Sequence, residues 1–96
     1  MELDFEWDEA KAKANFNAHG VSFELAKKVF KDVFAIEGLD DRKDYGEERF
    51  VIIGMAGGQV LLFVAYTERI RIISARRATQ HEEDDYFEQN ASTDVH

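Results

Sequence analysis

The chain contains neither cysteine nor proline. The first absence excludes disulfides, thiolate zinc sites, iron–sulfur clusters and a cysteine nucleophile. The second excludes polyproline segments and proline-rich linkers. Long apolar runs are missing as well. The most hydrophobic stretch, 51–65, is interrupted by Gly57-Gly58-Gln59 and falls short of the ~18 unbroken apolar residues a membrane span requires. Basic charge is scarce, with 12 Lys and Arg against 20 Asp and Glu and a net charge of −8. A broad basic nucleic-acid footprint is therefore excluded. No Walker loop, GxSxG or GxGxxG motif occurs. No secretory signal is read before Glu2 and Asp4, so the expected location is cytoplasmic.

What is present suits one domain. A chain of 96 residues, 45% of them hydrophobic, buries enough surface for a single core without staples. The domain is expected over 1–90, with a loose tail over 91–96. The acidity is concentrated at the end: residues 78–96 hold six acids and no Lys or Arg.

Periodicity sets the expected elements. Leu3-Asp4-Phe5-Glu6-Trp7 alternates like a half-buried strand. Asp8 caps a helix through about Ala18, with Ala10, Ala14 and Phe16 facing inward, and Gly20 stops it. Ser22 caps a second helix, with Phe23, Ala26, Val29 and Phe30 at helical spacing, ending near Asp32. Phe34-Ala35-Ile36 begins a strand, and a polar loop follows to Glu47. Three strand-like runs come next: 49–55, 60–67 and 69–76. The middle run is apolar throughout, as in a sheet centre covered on both faces. Gly57-Gly58 suits a two-residue hairpin turn. An acidic helix over about 78–89 closes the chain. The expected architecture is α+β: a short antiparallel β-sheet with two N-terminal helices packed on one face and a C-terminal helix.

The run Ile70-Arg71-Ile72-Ile73-Ser74-Ala75-Arg76-Arg77 is the most informative. Strict alternation puts Ile70, Ile72, Ser74 and Arg76 on one face and Arg71, Ile73, Ala75 and Arg77 on the other. A guanidinium at a strand end suits bidentate capture of a phosphate; surface pairing with Glu47, Glu48, Glu82 or Glu83 is the plainer reading. His19 offers an imidazole, the side chain best suited to proton transfer near neutrality, or simply caps the helix end. Trp7 suits base stacking, or a place in the core. Tyr86 suits proton donation or positioning, or anchors its helix. His81 and Asp85 lack a third ligand at a motif spacing, so no metal site and no cofactor is expected.

In order, the segments Phe5-Glu6-Trp7-Asp8-Glu9-Ala10-Lys11, His19-Gly20-Val21-Ser22-Phe23-Glu24, Glu47-Glu48-Arg49-Phe50 with Ile53-Gly54, and Ile70 through Thr79 resemble the BrnT family of toxins from bacterial type II toxin–antitoxin modules. The resemblance spans residues 5 to about 87. It implies a RelE-like fold and a metal-independent ribonuclease that halts translation. It also implies a BrnA-like ribbon-helix-helix antitoxin, with DNA contacted only through that partner. Set on this chain, the expected catalytic residues are His19, Arg76 and Tyr86, and the expected RNA-binding residues are Arg49, Arg69, Arg71, Arg77 and Trp7. The acidic segment 82–88 departs from the family, whose last helix usually carries Arg or Lys near its Tyr. That departure motivates the alternative of a non-catalytic toxin-like module that pairs with an antitoxin and takes part in operon control. An acidic surface also calls for a basic docking segment on the antitoxin.

Overall fold

The computed structural model describes residues 3–91 except 43, 45 and 59. Helix α1 (Glu9–His19) begins where the Asp8 carboxylate accepts the N–H groups of Ala10 and Lys11, and ends at Gly20 in the left-handed conformation, φ 71°. The inward stripe expected of α1 does not form. Ala10 and Ala14 are exposed and Phe16 is 54% exposed. The helix is held instead through a buried polar residue, Asn15.

Ser22 caps α2 (Phe23–Ala26) by accepting the Leu25 N–H at 3.0 Å. The expected single helix to Asp32 narrows after one turn into a 3-10 helix, Lys27–Lys31. The narrowing accompanies a close approach: a Cβ added to Gly54 would stand 2.9 Å from Val29 and 3.0 Å from Ala35. Only glycine lets Val29 settle there.

Four antiparallel strands lie in the order β1-β2-β3-β4: β1 Ile36–Leu39, β2 Arg49–Ala56, β3 Val60–Thr67 and β4 Ile72–Arg77. β1 starts later than Phe34 because the Phe34 and Ala35 N–H groups turn back to the Asp32 side chain and carbonyl. The register pairs Ala56 with Val60, so three residues, not two, separate β2 from β3. The strand expected over Leu3–Trp7 reduces to a single parallel bridge between Glu6 and Arg71. Its start is set by an unusual turn: Ile70 sits at φ 56°, a strained conformation for a β-branched side chain. There its carbonyl accepts the Glu6 N–H.

The sheet divides two cores. On one side Val21, Phe23, Ala26 and Val29 pack with Ile52, Leu62, Val64, Ile72 and Ala75. On the other, Ile53, Leu61 and Phe63 pack with Tyr86 of α3 (Gln80–Ala91). β3 is buried on both faces, as its unbroken apolar run leads one to expect. Ala91 belongs to α3; the rest of the expected tail lies outside the described residues.

Candidate functional site

β4 places the chemistry-bearing residues, and a bulge decides which way they face. Tyr66 pairs with Ile72 but Ala65 pairs with Ser74, so Ile73 is an extra residue in the ladder. The alternation is thereby reset. Ile72 and Ala75 share the α1–α2 core, which strict alternation would forbid. Arg76 pairs with Phe63 and Arg77 with Leu62. Cross-strand partners share a face, so Arg76 points to the α3 side and Arg77 to the α1–α2 side.

The Arg76 guanidinium is engaged. It lies 4.1 Å from the Phe63 ring centre. Its two terminal nitrogens donate to the two carboxylate oxygens of Glu82 at 2.8 and 2.9 Å, and one of them also reaches the Arg77 carbonyl. Glu82 in turn accepts the Thr79 N–H, while the Thr79 hydroxyl accepts the Glu82 N–H. This is a capping box that starts α3. Burial pushes the Glu82 carboxyl up, but the bonds from Arg76 and Thr79 together outweigh it and leave the group below its ordinary value.

Helix α1 is fixed to the outer edge of this strand. The Asn15 amide donates to the Ala75 carbonyl at 2.8 Å and to the Val21 carbonyl at 3.0 Å, and its oxygen accepts the Ala75 N–H at 3.1 Å. A side chain thus stands in for a fifth strand and closes the outer edge of β4, whose beginning is covered by Glu6. The bridge to Glu6 is parallel, so the chain advances along β4 from Arg71 toward Ala75. His19 ends α1 four residues after Asn15. His19 is exposed and so is Arg77. Arg76, expected to share a cleft with His19, has its guanidinium turned to the α3 side and paired with Glu82. The cation turned to the α1–α2 side is Arg77.

The remaining expected residues are dispersed. Tyr86 is 5% exposed and donates to Asp32 at 2.7 Å. Burial and the neighbouring carboxylate push its phenol up to about 12. It anchors α3 across the sheet. Burial raises the Asp32 carboxyl, but the Met55 N–H, the Tyr86 hydroxyl and the Phe34 N–H outweigh it and hold Asp32 below the ordinary value. Trp7 is half-buried, edge-on to Phe23, with its indole N–H on Glu9 at 2.7 Å. Arg49 faces Glu47 at 3.6 Å. Arg69 and Arg71 are exposed at the start of β4, away from its Arg77 end. His81 and Asp85 stand 3.6 Å apart, and no group of three metal-ligating side chains occurs among the described residues.

Two residues that organise this region, Asn15 and Asp32, went unread in the sequence, and Glu82 was named only as one of four carboxylates that could pair with the arginines. Thr79-Gln80-His81-Glu82 fits the capping-box pattern and pointed to Glu82. A polar residue in a helix with no apolar stripe was the signal for Asn15. Asp32 carried none.

A family model described as "Ribonuclease toxin, BrnT, of type II toxin-antitoxin system" matches residues 7–82. The chain belongs to the BrnT family. Family membership implies an RNA substrate and an antitoxin partner. Among solved structures, the chain resembles the Brucella abortus ribonuclease toxin BrnT, determined at 1.1 Å resolution. The TM-score is 0.60 at 22% identity, over 82% of this chain and 100% of that one. That likeness establishes the BrnT fold: a four-stranded antiparallel sheet with three helices. No curated protein matches the chain in sequence. No described helix is long and apolar enough to cross a membrane.

Proposed function

We propose that this BrnT protein is a metal-independent endoribonuclease of RelE-like descent that acts in the cytoplasm and is neutralised by a ribbon-helix-helix antitoxin. The ribose 2′-hydroxyl attacks the adjacent phosphodiester, leaving a 2′,3′-cyclic phosphate and a free 5′-hydroxyl. Such a reaction needs a proton acceptor, a cation on the crowded phosphate and a proton for the departing oxygen. His19 handles the proton and Arg77 holds the phosphate. Arg76 contributes to the field at the strand end while it fixes α3 through Glu82. Tyr86 acts by docking α3, not by touching RNA. The observation that supports this reading best is that Arg77 is exposed at the end of β4 and faces the α1–α2 side, while the exposed His19 ends the helix whose Asn15 is bonded to Ala75 of that strand.

The antitoxin meets the α3 side. Glu82, Glu83, Asp84, Asp85 and Glu88 lie on that helix without a Lys or Arg, and Phe87 on the helix and Phe34 beside it stand 53% and 56% exposed. A basic docking segment with apolar side chains complements this surface. DNA is then contacted through the antitoxin.

A second reading has its own observation. Glu82 already occupies Arg76, which suits a module that binds its antitoxin without cutting RNA. One experiment separates the two. Purified protein, incubated with RNA in excess chelator, is expected to yield 2′,3′-cyclic phosphate ends. Folded protein that leaves RNA intact at physiological salt would reject the nuclease and leave the binding module.

A further inference from the structure

We infer that Lys28 and Lys31 form a second RNA-phosphate subsite beside the β2–β3 turn, holding the single strand that leads away from His19 and Arg77. The inference rests on the ribonuclease reading above and extends its site to residues that no motif singles out.

The two lysines flank two adjoining hollows. Both line a concavity of about 350 Å³ together with Asp32, Met55, Gly57 and Gly58. Both also line its larger neighbour, about 690 Å³, with Phe5 and Phe30 among the walls. They therefore stand on the ridge between them. Three residues apart in a 3-10 helix, their side chains eclipse, with about 6 Å of rise between them. That is the arrangement needed to meet successive phosphates of one strand. Neither lysine is in an ion pair among the described residues, in contrast to Lys27, which is held by Glu24 at 3.3 Å.

The floor and walls suit a nucleic acid. Gly57 and Gly58 both take positive φ, and a Cβ at Gly58 would meet nothing within 4 Å, so a phosphate can approach the backbone there. Lys28 lies along the turn, its Cδ 3.7 Å from where a Gly57 Cβ would be. Phe5 and Phe30 meet edge to face at 5.1 Å and offer a base an aromatic surface. The carboxylates nearby are committed: Asp32 accepts from Met55, Phe34 and Tyr86, and Glu24 is paired with Lys27. Asp4 lines the larger hollow only. The subsite also adjoins the proposed site. Arg77 pairs with Leu62, two residues beyond the Val60 start of β3, so the turn and the Arg77 end of β4 lie at the same end of the sheet.

The probe is a short single-stranded RNA bearing 2′-O-methyl groups, which a 2′-hydroxyl mechanism cannot cut. Its affinity is measured by fluorescence anisotropy between about 50 and 200 mM salt. Lys28→Gln/Lys31→Gln is expected to weaken binding about tenfold at the lower salt and to flatten the log–log salt slope by roughly 0.7 per lysine. Lys28→Arg/Lys31→Arg is expected to restore both. An unchanged slope in the glutamine variant, with the wild type binding and cleaving normally, overturns the subsite and leaves the nuclease reading intact. A loss of antitoxin affinity with RNA binding unaltered also overturns it, by assigning the lysines to a protein partner. Failure of the wild type to bind or cut RNA overturns both readings together.

Discussion

On the α1–α2 side of the sheet, Ala26 and Val29 are fully enclosed, and the cations Lys28, Lys31 and Arg77 project from the packed layer without ion pairs among the described residues. On the α3 side the apolar core is smaller, and the helix is fastened by polar contacts: Arg76 to Glu82, Tyr86 to Asp32, and Asn90 to the Phe34 carbonyl. One side obtains its stability from burial and leaves its positive charges available. The other spends a guanidinium on holding a helix and presents carboxylates outward. A protein with a net charge of −8 can in this way keep a local surface that tolerates a phosphate, because five of its acids are gathered on α3.

The comparison can be broken on the burial side first. Asn15→Ala removes three hydrogen bonds and leaves the Ala75 N–H and carbonyl unpaired at the edge of β4. The expected loss is about 2–4 kcal/mol, read as a lowered denaturation midpoint. A change of a few tenths would mean that water closes that edge equally well. Gly54→Ala forces Val29 and Ala35 away from β2 and is expected to cost about 1–3 kcal/mol by overpacking, checked in the same denaturation series.

The polar side responds to pH. Asp32 and Glu82 are both held below their ordinary values of 3.8 and 4.5. The unfolded chain therefore takes up their protons first as pH falls. The stability they contribute is complete above about 4.5 and is lost progressively as acid carries pH through the lower folded values. Tyr86 is raised, so its contribution is complete below 10.0 and is lost as pH rises toward about 12. Tyr86→Phe is expected to cost about 2 kcal/mol at neutral pH. It should also shrink the acid loss, because one of the donors holding Asp32 down is gone. Melting curves across pH check this. An unaltered acid limb would show that the phenol contributes nothing to the carboxylate.

Much of this was legible in the chain. Asp8, Gly20 and Ser22 mark helix ends because each supplies a specific backbone partner or conformation, and 60–67 declares a central strand because no polar residue interrupts it. The faces of β4 were not legible. Ile73 is apolar like its neighbours, so nothing in its chemistry announces an extra residue in the ladder, and alternation counted through it puts Arg76 and Ile72 on the same side. The N-terminal segment alternates like a strand, yet only Glu6 finds backbone to pair with, since Asn15 already closes the edge beyond. Lys28 and Lys31 belong to no motif in the sequence. Their meaning depends on a turn more than 20 residues downstream.

The central claim is that RNA is handled on the α1–α2 side of β4. Cleavage rates of His19→Ala, Arg77→Ala and Arg76→Ala, compared in one assay with each variant's melting temperature alongside, test it most directly. The account predicts about a 100-fold or greater loss for the first two with melting unchanged. For Arg76→Ala it predicts a smaller loss of rate with a clear drop in melting temperature. A collapse of activity in Arg76→Ala at full stability, with Arg77→Ala still active, would contradict it.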